Sequence, residues 1–152
     1  MRLTKNFTKE ELEFSETASR LGINNTIPPE LMDNAKKLAL GLQNVRELLG
    51  TPIFISSGYR CLELNNILKS KPTSAHVRCL AADIRSDRYS HPNGVIFAII
   101  NSDIPYDQII LEHWNADNPY SGWVHISFAE NGETPRQQAL IIDQNGTSLY
   151  NK

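Results

Sequence analysis

A mixed fold of helices and strands in one domain is the class this sequence predicts, and two patterns predict it. Across residues 28–49, Leu31, Ala35, Leu38, Leu42, Val45 and Leu49 recur at three- and four-residue steps, the apolar stripe of an amphipathic helix. Further on, residues 52–57, 80–84, 106–112, 123–128 and 139–142 are short apolar or alternating runs, with Gly, Pro, Asn and Asp between them, as strands require. The 152 residues suit a single domain, 1–152. Its expected parts are an N-terminal helical segment of about 1–50, a core of about 51–130 and a C-terminal extension of about 131–152.

Each element has its own local reason. Thr8 followed by Glu11 is a capping box for a short helix through Leu12 and Phe14, with Phe7 placed as its hydrophobic staple. Residues 15–26 are polar, contain Gly22, and read as a mobile surface loop or at most one helical turn. Pro28 and Pro29 open the long helix, Glu30 faces the positive end of its dipole, and Gly50 stops it. Residues 62–68 suit a short helix, after which a polar link, 69–73, leads as a loop to His76.

In the strands, period two sorts the side chains. Ala81 and Asp83 share one face, opposite Leu80, Ala82 and Ile84; Gln108, Ile110 and Glu112 share another. Trp123, His125 and Ser127 oppose Val124, Ile126 and Phe128. His91 precedes a short apolar helix through Ile100, where a solvent-facing role suffices. Residues 115–122 form a turn or rim loop, and beyond the possible strand at 139–142 the tail is polar.

Composition excludes several functions. Hydrophobic residues at 40% against 21% charged indicate a folded chain rather than a disordered one. A net charge of −2, with scattered basic residues, gives no electrostatic reason for a nucleic-acid or anionic-membrane partner. Cys61 and Cys79 make neither a disulfide framework nor a metal knuckle, and whether they pair is open. No apolar run spans a membrane and no signal-peptide layout is present, so a chain made in the cytoplasm, and kept there or exported by another route, is expected; its oligomeric state is open, a monomer being the first expectation.

Chemistry concentrates in three places. His76 and Asp83 lie in the stretch 74–83, and His125 lies in Trp-Val-His-Ile-Ser. A lone histidine is more often structural than ligating, but two imidazoles and one carboxylate on strand edges make a three-ligand zinc set that leaves a position for water. Such a zinc needs a carboxylate to carry the proton, and Glu112 is the candidate; the plain alternative is an exposed glutamate. Arg60 suits a substrate carboxylate or an oxyanion, or is simply a surface arginine. Tyr59 either lines the cleft or packs, and Ser74 and Ser127 suit ligand-orienting hydrogen bonds. Cys79 could offer a thiolate, though a small buried hydrophobe is the more ordinary reading. His113 neighbours Glu112 and so points away from it.

These residues also carry a resemblance to a family, the M15 zinc peptidases. These comprise D-Ala-D-Ala carboxypeptidases and dipeptidases and phage or bacterial L-Ala-D-Glu endopeptidases, and the likeness is strongest to short phage and prophage members. Ser74, His76, Ala81 and Asp83 match the core motif, in which Cys79 stands where the family has glycine. The resemblance implies zinc bound by His76, Asp83 and His125, Glu112 as catalytic base, and Arg60 on the substrate side. Gln108 joins Tyr59, Ser74 and Ser127 as candidates for substrate or ligand support. The implied fold is α+β, a central antiparallel sheet packed against helices, the D-Ala-D-Ala metallopeptidase (hedgehog-like) fold. The implied substrate is peptidoglycan stem peptide or cross-bridge, reached through a phage holin or as part of a virion. A phage or cell-wall protein that keeps the fold but binds without cutting is the second reading.

Overall fold

The computed structural model describes residues 1–151. Its N-terminal helices are short and individually capped. Helix α1 (Lys9–Glu13) has the complete capping box between Thr8 and Glu11, and Phe7 and Leu12 are both buried beside it. Helix α2 (Glu16–Leu21) occupies the stretch expected to be loop. The Ser15 hydroxyl caps its start and Gly22, at φ 69°, ends it in the left-handed conformation. Polar composition hid a six-residue helix because its stability comes from its caps and not from an apolar stripe.

A 3-10 turn (Pro29–Leu31) leads into α3 (Met32–Leu49), whose stripe of Ala35, Leu38, Leu42, Val45 and Leu49 is buried. The remaining elements are β1 (Phe54–Ser57), α4 (Leu62–Ile67), β2 (Ala81–Arg85), α5 (Pro92–Ile100), β3 (Gln108–Glu112), β4 (Trp123–Ser127), β5 (Gln138–Asp143) and β6 (Gly146–Leu149). His91 is not merely solvent-facing: its Nδ1 accepts from the Gly94 amide and caps α5.

The fold is α+β. Six strands run in the order β1-β2-β4-β3-β5-β6. The first four pair antiparallel, β5 joins β3 in parallel, and β6 closes a hairpin on β5. Strand β6 lies in the stretch expected to be a polar tail; Gly-Thr-Ser-Leu carries no alternation because all four residues are exposed at a sheet edge.

The two sheet faces differ completely. Ala82, Ile84, Ile109, Leu111, Val124 and Ile126 point into the core shared with α3 and α5. The residues between them face the other way, and Asp83, Gln108, Glu112, His125 and Ser127 among them carry the polar chemistry. Gly41 of α3 lets the two layers meet, because a Cβ there would overlap the buried ring of Phe128. Gly41→Ala is therefore expected to destabilise the protein, since overpacking of about 1–3 kcal/mol opposes a helix-propensity gain of about 1 kcal/mol. Thermal unfolding should show a lower Tm; a higher one would mean that Phe128 has room to move.

Candidate metal centre

The centre is built where two chain reversals cross the middle of the sheet. Segment 58–60, leaving β1, lies against the turn 74–79 that precedes β2. The His76 backbone is fixed on both sides: its carbonyl accepts from the amides of Arg60 (3.1 Å) and Cys79 (3.2 Å). Its own amide donates to the Ser74 hydroxyl at 3.2 Å. The ring is fixed as well, Nδ1 lying 2.7 Å from the Gly58 carbonyl.

Asp83 and His125 are direct partners across β2 and β4, so both side chains leave the same face. Asp83 divides its two oxygens. Oδ2 takes a hydrogen bond from Arg60 Nη2 at 3.3 Å, while Oδ1 faces His76 Nε2 at 3.3 Å and His125 Nδ1 at 3.1 Å. His76, Asp83 and His125 are all buried, and their ligand atoms lie within 4.8 Å of one another. Glu112, at the end of β3, places Oε1 3.8 Å from His125 Nδ1.

The hydrogen atoms expose the electrostatic problem. A carbonyl only accepts, so His76 Nδ1 must be the protonated nitrogen facing Gly58. Nε2 of a neutral ring is then a lone pair aimed at Asp83, which is itself an acceptor. Burial pushes the His76 pKa down, against the pull of Asp83, so an imidazolium is a costly remedy. Burial pushes the Asp83 carboxyl up, but the two imidazoles beside it, His125 before His76, outweigh burial wherever they carry a proton toward it and hold it well below the usual carboxylate range. A cation between the three groups resolves the conflict. Bonds of about 2.0–2.1 Å in a tetrahedral site place ligand atoms about 3.3 Å apart, close to the 3.1 and 3.3 Å separations at Asp83 Oδ1. The residues fit a small divalent metal.

Residues 5–127 match the family described as Peptidase M15. The chain belongs to the peptidase M15 family. A comparison with curated proteins gives no match. M15 peptidases are metal-dependent, and the His76–Asp83–His125 cluster is where this M15 peptidase can hold an ion. Among the described residues, none of its helices is long and apolar enough to cross a membrane.

The other expected residues divide. Ser74, Gln108 and Ser127 line a cleft of about 650 Å³ together with His125. Ser74 steadies the His76 backbone, whereas Ser127 bonds the Gln108 backbone and the Gln108 amide donates to Gln138 at 2.7 Å. Arg60 is held by Ser57 (2.9 Å) and Asp83, and burial lowers its pKa against the pull of Asp83 and Glu112. Tyr59 does not line the cleft; it is buried in the core. His113 is exposed and stacks on Trp123 at a centroid distance of 4.9 Å.

Cys79 is no ligand: it sits in the core, burial pushes its thiol up to about 12, and both cysteines are free. Its φ of 58° explains the family glycine at this position as a left-handed turn rather than a close approach.

Sequence reasoning missed three supports. Gly58 supplies the carbonyl that fixes the His76 ring. Asn25, in the stretch read as a mobile loop, donates to the carbonyls of Glu13 and Tyr59 and accepts from the Cys61 amide, clamping the segment that carries Arg60. Trp123, the register partner of Glu112, has its Nε1 buried with no partner among the described residues, a donor suited to water or ligand. An asparagine beside a turn and a glycine after serines were the only signals available.

Proposed function

We propose that this M15 peptidase is a zinc enzyme cutting peptidoglycan stem peptides or cross-bridges, as a D-Ala-D-Ala carboxypeptidase or a related endopeptidase. One observation carries the metal: the unprotonated Nε2 of buried His76 faces the Asp83 carboxylate at 3.3 Å, an arrangement that calls for a cation. Two nitrogens and one oxygen favour zinc over harder cations and leave a position open for catalysis. The family membership and the matching motif residues support the substrate class.

Zinc bound by His76, Asp83 and His125 would polarise the scissile carbonyl and acidify water. The protein supplies everything else. Glu112 accepts the proton from the attacking water and delivers it to the departing nitrogen. Its carboxyl is suited to both acts, because burial first and the charge of Asp83 second raise its pKa above the usual glutamate value. Arg60 has two nitrogens engaged by Ser57 and Asp83, and its Nη1 is left for a substrate carboxylate or the developing oxyanion. His76 and Asp83 are buried, His125 lines the cleft, and Glu112 stands 3.8 Å from His125 Nδ1.

The test is elemental mass spectrometry on untagged protein prepared without chelator, followed by digestion of purified muropeptides. About one zinc per chain is expected, and His76→Ala should lose it. Absence of metal after zinc is offered would remove the mechanism. Metal uptake with intact muropeptides would retain the centre and refute the substrate.

A further inference from the structure

We propose that strands β5 and β6 form a specificity wall of the substrate cleft, selecting acidic peptides with an aliphatic side chain two or three residues from the bond cut. The inference rests on the peptidase reading above and deepens it.

The sheet register carries the argument. From Asp83 the same row runs through His125, Ile110 and Leu140 to Leu149. The adjacent row runs from Trp123 through Glu112 and Ile142 to Thr147. The metal site therefore continues, without a step, into an apolar floor of Ile110, Leu140 and Ile142. Leu140 and Ile142 line the same cleft as His125 and are only half buried, so their upper surfaces meet solvent.

Distance fixes the reach. Strands are spaced about 4.8 Å apart, so Leu140 lies about 10 Å from His125, roughly three residues of an extended peptide. Charge fixes the ligand class. Lys71 and Arg78 line the cleft, are exposed, and have no carboxylate partner among the described residues. Arg136, by contrast, is held by Asp107 at 2.8 Å. A peptide reaching from the metal site would lay a side chain on the floor and meet a rim where the basic Lys71, Arg78 and Arg136 outnumber the acidic Asp107 and Glu133. The family match ends at residue 127, so β5 and β6 lie beyond what it assigns.

The experiment uses the zinc-loaded full chain and a stem pentapeptide with its D-glutamate carboxylate free or amidated. Leu140→Asp is expected to raise KM about ten-fold, with kcat within two-fold and zinc content unchanged, while Leu140→Met keeps the wild-type KM. Thr147→Asp, at an exposed cleft position that tolerates charge, should raise KM in the same direction. Replacing Lys71 and Arg78 together by glutamine should abolish any preference for the free carboxylate. An unchanged KM in both aspartate variants would overturn the wall. If the wild type holds zinc and cuts no stem peptide, the peptidoglycan reading falls by itself. Calorimetric titration of the same peptides then judges the wall: ten-fold weaker binding by the aspartate variants supports it, and equal binding, or none by the wild type, overturns it.

Discussion

Replacing Glu112 by glutamine is expected to lower kcat for peptide cleavage by about 10²–10⁴-fold while the metal stays bound. The amide keeps the size and reach of the carboxyl but cannot collect a proton. Its position 3.8 Å from His125 Nδ1, on the row next to Asp83, puts it beside the ligands without making it part of the triad. Loss of metal to the same degree as in His76→Ala would instead make Glu112 a ligand. The substitution has a second, opposite signature in the metal-free protein. Burial, then Asp83, raises the Glu112 pKa, so the folded state resists its ionisation. That cost is absent below the unfolded value of about 4.5 and fully present above the folded one. Metal-free Glu112→Gln should therefore melt higher than wild type at pH 7, with the gain vanishing as the pH falls below 4.5. A variant that is less active and more stable identifies a group held for chemistry.

Gly58→Ala is expected to weaken metal binding by about 10–100-fold, although residue 58 lies outside the triad. A Cβ at Gly58 would run into the Leu12 backbone carbonyl, which is already bound by the Tyr59 amide at 2.7 Å. Backbone cannot give way as a flexible side chain does, so the 58–59 peptide must move. With it moves the carbonyl that holds His76 Nδ1 and thereby aims Nε2. Competition with a chelator measures the affinity. Gly22→Ala is the control: it is strained by its φ of 69° but has open space around it, so it should cost stability and leave affinity alone. Equal affinity in both variants would show that the ring finds its orientation without Gly58.

Much of this was legible in the residues themselves. The stripe of α3, the capping box of α1 and the alternation in β2, β3 and β4 are local patterns, and local patterns survive in sequence. Asp83 and His125 could be grouped because period two put each on a polar face, His76 joined them from the loop before the strand, and the structure brings the three together. The failures share a physical cause. Helix α2 rests on its caps, β6 on a sheet edge, and the parallel pairing of β5 with β3 on a choice of neighbour. Gly58 and Asn25 act through backbone carbonyls and an amide whose partners lie elsewhere in the chain. The left-handed turn at Cys79 was hidden because a cysteine occupies a conformation that glycine usually advertises.

Strand β4 is the last of the four antiparallel strands in the chain, yet it lies between β2 and β3. Until it inserts, Asp83 has no imidazole from His125 opposite it, and β2 and β3 have no common neighbour. Closing such distant segments is the slow part of folding. A nascent chain that has not yet made Trp123–Ser127 thus lacks His125 and the strand that pairs with Asp83, although the contacts that fix His76 already lie upstream. The His76–Asp83–His125 cluster therefore cannot assemble piecemeal during synthesis: it closes when β4 inserts, and ion uptake would be a clock for that step.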